Sequence, residues 1–276
     1  MHQALTRVIA HRRKSTRGKF GANASGGVRF GARIAAATLT LSLATALSAC
    51  TPSPTTSHVN DAGESVTVDW RDYPAAAWLS AEQVLAGPRA GEAPDRFAQM
   101  LGEMSLALEL AFGAERGKAL GDPADYAKWY PTAENGYGGR SMLYTYNSQT
   151  WVVDADISDE DRELAVDIVA EIAAKFGLDQ RRLDDPSEWD SPERARWLRS
   201  ESLFNDNSEW LWVSVQDARL DESGEEARFA EQQGWSGVGV SLAYGITTVL
   251  DDDRAEFERR AEPFAGLVLP EASHPS

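Results

Sequence analysis

Acidic side chains are the most numerous groups in this chain that could do chemistry. The sequence holds 43 Asp and Glu among its 276 residues. Two carboxyl groups that face each other across a cleft can hydrolyse a glycosidic bond. The candidate pairs are Asp154 with Asp156, Asp184 with Asp185, and the run Asp251–Asp253. Each also has an ordinary explanation, because acids favour helix N-termini and turns. No pair is therefore assigned a catalytic role.

Histidine and cysteine are too scarce to supply other catalytic groups. His2 and His11 lie in a basic leader, His58 lies in a polar spacer and His274 lies near the C-terminus, while Cys50 is the only cysteine. We therefore expect a folded part without histidine, which excludes Ser-His-Asp and Cys-His catalysis and His-ligated zinc. The acidic stretch 154–165 lacks the glycine and glutamate of an EF-hand loop. We expect no metal and no cofactor.

Tryptophan is enriched, and two of the nine tryptophans are candidate ligand-stacking residues. Trp210 and Trp212 lie two residues apart on a predicted strand, so their side chains point to the same side. If that side is exposed, the indoles form a platform for sugars or peptides. If a helix covers it, with Trp189 and Trp197 as part of the cover, both are core residues.

The charge distribution divides the chain in two. Residues 1–49 carry eight Lys or Arg and no acid, whereas all 43 acids lie after Cys50. A strongly negative domain repels nucleic-acid phosphates, so nucleic acid is excluded as a partner. The same acidity keeps a protein soluble and dispersed.

The N-terminal 49 residues have the pattern of an export signal. A basic region is followed by an apolar stretch, residues 34–49, which is shorter than the roughly 20 residues that a membrane-spanning helix needs. The stretch ends in Leu47-Ser48-Ala49-Cys50. This resembles the lipobox of bacterial lipoproteins. The resemblance implies that Cys50 receives diacylglycerol and palmitate and becomes the first residue of the mature protein.

The expected domain organisation follows from this reading. Residues 1–49 form a lipoprotein signal peptide, and residues 50–65 form a flexible Pro/Ser/Thr-rich tether with a reach of about 20–25 Å. Residues 66–270 form a single domain, and residues 271–276 form a disordered tail. The anchor places the domain on the extracytoplasmic face of the cell membrane.

The hydrophobic periodicity predicts an α+β fold. Apolar residues at steps of three and four predict helices over 95–113 and 158–177, and shorter helices are predicted over 191–200 and 251–264. Alternation predicts strands over 141–154, 209–216 and 238–250, with a bulge or turn at Asn147-Ser148. We expect a small, mostly antiparallel sheet with helices packed on one face, preceded by an N-terminal helix.

A second resemblance covers residues 142–250. A strand that ends at Trp151, the helix start Ile157-Ser158-Asp159 and a helix that closes on Phe176-Gly177 are similar to actinobacterial lipoproteins of the LppA-like kind. Those lipoproteins have no established activity, so the resemblance implies an envelope location and no reaction.

The sequence thus predicts a lipid-anchored extracytoplasmic protein that binds or assists a cell-wall or envelope partner and is not an enzyme. The alternative is a carboxylate-dependent hydrolase of cell-wall glycan. A solute-binding lipoprotein is disfavoured, because the chain lacks the repeated strand–helix units of two lobes.

Overall fold

A computed structural model describes residues 52–59, 63–115, 117–121, 128–185, 192–206 and 208–273. The signal peptide, Cys50, Trp189 and three of the four histidines lie outside these residues. The strands are β1 Thr55–Val59, β2 Ser65–Asp69, β3 Lys118–Ala119, β4 Lys128–Pro131, β5 Leu143–Asn147, β6 Trp151–Asp154, β7 Gln180–Leu183, β8 Leu198–Phe204, β9 Glu209–Asp217 and β10 Val238–Val249. The α-helices are α1 Ala81–Ala86, α2 Ala93–Phe112, α3 Arg162–Lys175, α4 Glu225–Gln232 and α5 Arg254–Ala261.

The sheet is organised around β10, its longest strand. Strands β3 to β10 form one sheet in which the described pairs are all antiparallel. β9, β8 and β7 follow on one side of β10, while β5 and β6 share its other side. The predicted irregularity at Asn147-Ser148 is therefore an interruption in one line of pairing. Ser148 fills it, since its hydroxyl accepts a hydrogen bond from the Tyr244 amide at 2.9 Å. The α+β prediction with a mostly antiparallel sheet is confirmed.

The inner face of the sheet carries the main hydrophobic core. The two long helices α2 and α3 lie on it, as the periodicity predicts. Pro94 lies in the first turn of α2, and Gly113 ends the helix in the left-handed conformation, with φ of 63°. Phe97 of α2 stacks on Tyr244 of β10, with ring centroids 5.4 Å apart and planes within 12°. Burial of apolar faces at about 25 cal/mol per Å² is the main force that holds these layers together.

Among the described residues, two hydrophobic clusters cover the outer face of the sheet, one near each end. At one end, Leu143 and Val249 pack beneath a second cluster that includes Trp70, Tyr73 and Phe257 of α5. At the other end, a small cluster covers β6 and is formed by Val152, Ala230 of α4 and Trp235, with Leu120 beside it. The two short helices thus contact the side of the sheet opposite α2 and α3.

The segment expected to be a tether contains a strand. β1 pairs with β2 as an antiparallel hairpin, and the chain is already engaged at Pro54, whose carbonyl accepts the Trp70 amide at 3.0 Å. The Trp70 indole donates to Thr56 Oγ1 at 2.9 Å. The expectation of a flexible segment is therefore wrong for Thr55–Val59, because threonine and valine favour strands and β2 supplies a partner strand.

The hairpin also brings one histidine into the fold. His58 lies on β1 opposite Val66 and is half-buried. The expectation of a folded part without histidine is therefore wrong. Among the described residues, the Nδ1 atom of His58 is shielded from solvent and has no hydrogen-bond partner.

Two strands of the main sheet, β7 and β8, were not predicted by the hydrophobic pattern. β7 is polar, and β8 occupies residues that were expected to end a helix over 191–200; only a 3-10 turn, Pro192–Arg196, is present there. The buried Glu201 interrupts the apolar alternation of β8. Arg181 and Arg199 neutralise it at 2.9 and 2.8 Å. Charge pairing across strands thus replaces apolar burial at this edge of the sheet.

Candidate functional site

The two candidate stacking residues lie side by side on the open part of the outer face. Trp210 and Trp212 of β9 are both half-buried, and the inner-face residue between them, Leu211, is fully buried. Trp197, proposed as part of a cover, is buried near the start of β8. The structure therefore gives a partly open surface at the two tryptophans.

A hydrogen-bonded chain holds the indole of Trp212 in place. Its Nε1 donates to Ser200 Oγ on β8 at 2.6 Å, and Ser200 in turn donates to the Asp184 carboxylate at 2.5 Å. Ser200 and Asp184 are themselves buried. Because the serine hydroxyl accepts on one side and donates on the other, the indole is fixed across β8.

Trp210 is positioned by the shape of the surface beneath it. Its indole occupies the space above Gly245 of β10, where a methyl group on the glycine Cα would overlap the ring at Cζ2 and Cε2. A glycine is required at this point because any side chain would displace the ring. The alternating small residues of β10 thus admit an aromatic side chain from the next strand.

The register of the strands places these residues in two parallel rows. One row runs across six strands, and its members are Gln180, Phe204, Trp210, Gly245, Asn147 and Lys128. The adjacent row contains Arg182, Ser202, Trp212 and Ala243. We call the central part of these rows the aromatic trough, and it consists of Ser202, Phe204, Trp210, Trp212, Ala243 and Gly245. At about 4.8 Å between strands, the longer row spans about 24 Å.

The aromatic trough differs in charge from the rest of the domain. Neither of its two rows contains a carboxylate among the described residues, and the rows end in the exposed cations Arg182 and Lys128. Two acids lie close to the rows. Asp184, which directly follows β7, accepts hydrogen bonds from Ser200 and Ser202 at 2.5 and 3.5 Å, and Asp206, which lies just after β8, accepts one from Gln180 at 2.7 Å. In a chain with a net charge of −16, this surface is suited to neutral or anionic groups.

Of the carboxylates proposed for catalysis, Asp184 borders the aromatic trough and is bound by Ser200, whereas Asp154 and Asp156 lie elsewhere and are also engaged. Partial burial raises the pKa of Asp154, but hydrogen bonds from Ser236 and the charge of Lys118 outweigh it, so the pKa lies below its ordinary value. Asp156 pairs with Arg219 at 2.8 Å. A general acid in glycoside hydrolysis needs a raised pKa, so the shift at Asp154 is in the wrong direction.

Asp251, another of the proposed acids, also has a structural partner. The Asp251 carboxylate accepts the Gly91 amide at 2.8 Å and so joins the start of α2 to the turn before α5. Among the described residues, no group of three or more His, Cys, Asp or Glu is arranged to hold a metal ion. None of the helices in the described ranges has the length and apolarity to cross a bilayer.

A groove of about 550 Å³ lies on the far side of the molecule, between α2 and α3. Its walls are mainly apolar, with the exposed Leu110 at one side and an ion pair between Glu103 and Lys175, 3.3 Å apart. Binding sites for small molecules place a few polar groups together. The charged side chains in its described walls are Glu103, Glu171 and Lys175, and two of them neutralise each other. We therefore interpret the groove as a gap between two packed helices.

Sequence reasoning found the two tryptophans but missed the residues that position them. Ser200 lies on β8, which ends at Phe204, and Asp184 directly follows β7; neither strand was predicted. The one sequence feature that pointed to these positioning residues was the row of small residues on one face of β10, which contains Gly245.

Comparison with known proteins gives a weak structural match. No protein-family model and no curated protein matches the chain. A crystal structure of a protein assigned as the lipoprotein LppA from Mycobacterium tuberculosis is similar at 14% identity, with a TM-score of 0.39, and the match covers 71% of this chain and 90% of that one. A likeness of this size does not establish a shared fold or function.

Proposed function

We propose that this chain is a lipid-anchored protein of the extracytoplasmic membrane face, and that it binds a cell-wall or envelope component through the aromatic trough. The anchor proposal depends on one observation, the only cysteine of the chain placed directly after Leu47-Ser48-Ala49 at the end of an apolar stretch. Two acyl chains on one residue are enough for lasting attachment, whereas one chain is marginal.

A binding role agrees better with the described carboxylates than glycan hydrolysis does. The aromatic trough presents two indoles, one phenyl ring and the Ser202 hydroxyl, and its two rows contain no carboxylate among the described residues. The indoles are positioned before any ligand arrives, because Ser200 holds Trp212 and Gly245 accommodates Trp210. A preorganised surface loses less side-chain entropy on binding.

The anchor is tested by comparing Cys50→Ser with Ser48→Ala, which retains a small residue beside an intact cysteine. Cells are fed an alkyne-tagged palmitate, and labelling and membrane fractionation are measured for each variant. We expect Cys50→Ser to lose the label and leave the membrane fraction, and Ser48→Ala to behave as the unmodified chain. A labelled, membrane-bound Cys50→Ser protein would refute the anchor.

A further inference from the structure

We infer that the ligand of the aromatic trough is a saccharide chain, neutral or anionic, that lies across the strands. This inference rests on the proposed binding role of the trough and specifies the chemistry of the ligand. The long row of residues across β7, β8, β9, β10, β5 and β4 sets the direction, because it offers contacts over about 24 Å in a line perpendicular to the strands.

The groups along the trough match sugar chemistry. The flat face of a sugar ring carries C–H groups that pack on indole and phenyl rings, which Trp210, Trp212 and Phe204 provide. The hydroxyls at the ring edge need hydrogen-bonding partners, and Ser202 and Asn147 lie in the same two rows. The two rows thus place polar side chains on either side of the central aromatic ones.

A peptide fits this surface less well. A peptide strand that adds to a sheet needs a free edge, because its affinity comes from main-chain hydrogen bonds. The trough lies in the middle of the sheet, where the backbone groups of β9 and β10 are paired with each other. The only aliphatic side chain in the trough is Ala243, so a branched apolar side chain of a peptide finds no matching pocket there.

Charge narrows the ligand class further. The domain as a whole is acidic and attracts cations, but the rows of the trough end in Arg182 and Lys128 and hold no carboxylate among the described residues. The domain as a whole therefore favours cationic ligands, whereas the trough favours neutral or anionic ones. Comparing the binding of a neutral saccharide chain with that of its cationic counterpart therefore distinguishes the trough from general attraction by the acidic domain.

The test uses the purified mature protein, which begins at Cys50 and carries its lipid, in detergent micelles, together with three probes. The probes are a β-1,4-linked hexamer of N-acetylglucosamine, the same hexamer without its acetyl groups, and hexaproline. Calorimetry gives the Kd for the unmodified protein, for Trp210→Ala and for Trp212→Ala. Trp78→Ala serves as the matched control, because Trp78 is 49% exposed and lies outside the trough.

We expect the acetylated hexamer to bind, to bind more tightly than its cationic counterpart, and to lose at least tenfold in affinity in each trough variant but not in Trp78→Ala. In 5-fluorotryptophan-labelled unmodified protein, the ¹⁹F resonances of Trp210 and Trp212 should shift on addition of the hexamer. This second measurement does not depend on how the variants fold.

Three results would overturn the inference. If the hexamer bound the trough variants as tightly as the unmodified protein, its binding site would lie outside the trough. Trp-dependent binding of hexaproline without binding of the hexamer would reject the saccharide and retain the trough. Failure of every probe, with unshifted ¹⁹F resonances, would reject both the saccharide and the binding part of the proposed function, while palmitate labelling at Cys50 decides the anchor independently.

Discussion

The hydroxyl of Tyr244 donates a 2.8 Å hydrogen bond to the carboxylate of Glu209, whose side chain is completely buried. The same carboxylate is paired with Arg96 of α2, and Asn205 donates to it at 3.1 Å. Arg96 also donates to the carbonyl of Phe176, just after α3. One charged cluster therefore joins both long helices to the sheet, on the face opposite the aromatic trough.

Removal of Arg96 should be the most costly change in this cluster. We predict that Arg96→Met lowers the free energy of unfolding by about 3–5 kcal/mol, because Glu209 becomes an unpaired buried charge. Tyr244→Phe should cost about 1.5–3 kcal/mol, the value of a hydrogen bond to a charged group. Urea unfolding followed by circular dichroism measures both. Adding Glu209→Gln to Arg96→Met should recover part of the loss; an Arg96→Met protein as stable as the original would contradict the prediction.

Asn135 should be equally sensitive, although it lies in a turn. Its amide nitrogen reaches the carbonyls of Trp70, Arg71 and Tyr73 at 2.9–3.1 Å, and its oxygen accepts the amides of two later residues of the same turn. Asn135→Ala leaves several of these buried groups unpaired, at about 1–3 kcal/mol each. We predict that the free energy of unfolding, measured by urea unfolding, falls by at least about 2 kcal/mol, which is the cost of one to two such groups. The exposed neighbour Glu134→Gln should stay within about 0.5 kcal/mol.

Gly245 and Trp210 should be coupled. Gly245→Val forces the indole out of its position, and overpacking of this kind costs about 1–3 kcal/mol. In a Trp210→Ala background the same substitution should cost much less, because the space above Gly245 is then free. A thermodynamic cycle of the four proteins measures the coupling free energy. Equal costs of Gly245→Val in the two backgrounds would show that the ring does not occupy this space.

Alkaline pH should destabilise the fold through its buried tyrosines. Burial raises the pKa of Tyr137 to about 12, and burial also raises the pKa of Tyr73. The folded state therefore keeps protons that the unfolded state releases near pH 10. This stabilisation is complete below pH 10 and is lost as the pH rises towards 12. The urea midpoint should fall between pH 9 and pH 11, and Tyr137→Phe should show a smaller fall; an unchanged midpoint in the original protein would contradict this.

Hydrophobic periodicity was sufficient wherever burial alone shapes an element. The apolar stripe of α2 and the alternation of β9 and β10 were correctly predicted, since each buries one continuous face. β7 and β8 were missed because their stability depends on the pairing of Glu201 with arginines from two strands. β1 was missed because a short polar strand is stabilised only by a partner that the local sequence does not reveal.

The candidate site was also predicted only in part from the sequence. Alternation placed Trp210 and Trp212 on one face, but their exposure depends on which helices cover that face. The alignment of Trp210 with Gly245 and Phe204 depends on strand register, which is set by pairing across the whole sheet. Local sequence does not contain this information.

The hydrogen bond between Pro54 and Trp70 limits how far an anchored domain can stand from the bilayer. Pro54 is the fourth residue after Cys50, and four residues span at most about 14 Å when fully extended. A lipid on Cys50 would let the protein diffuse sideways with the membrane while confining it to a thin layer above the headgroups. Its encounters would then be limited to molecules embedded in the bilayer and to polymers that descend to it.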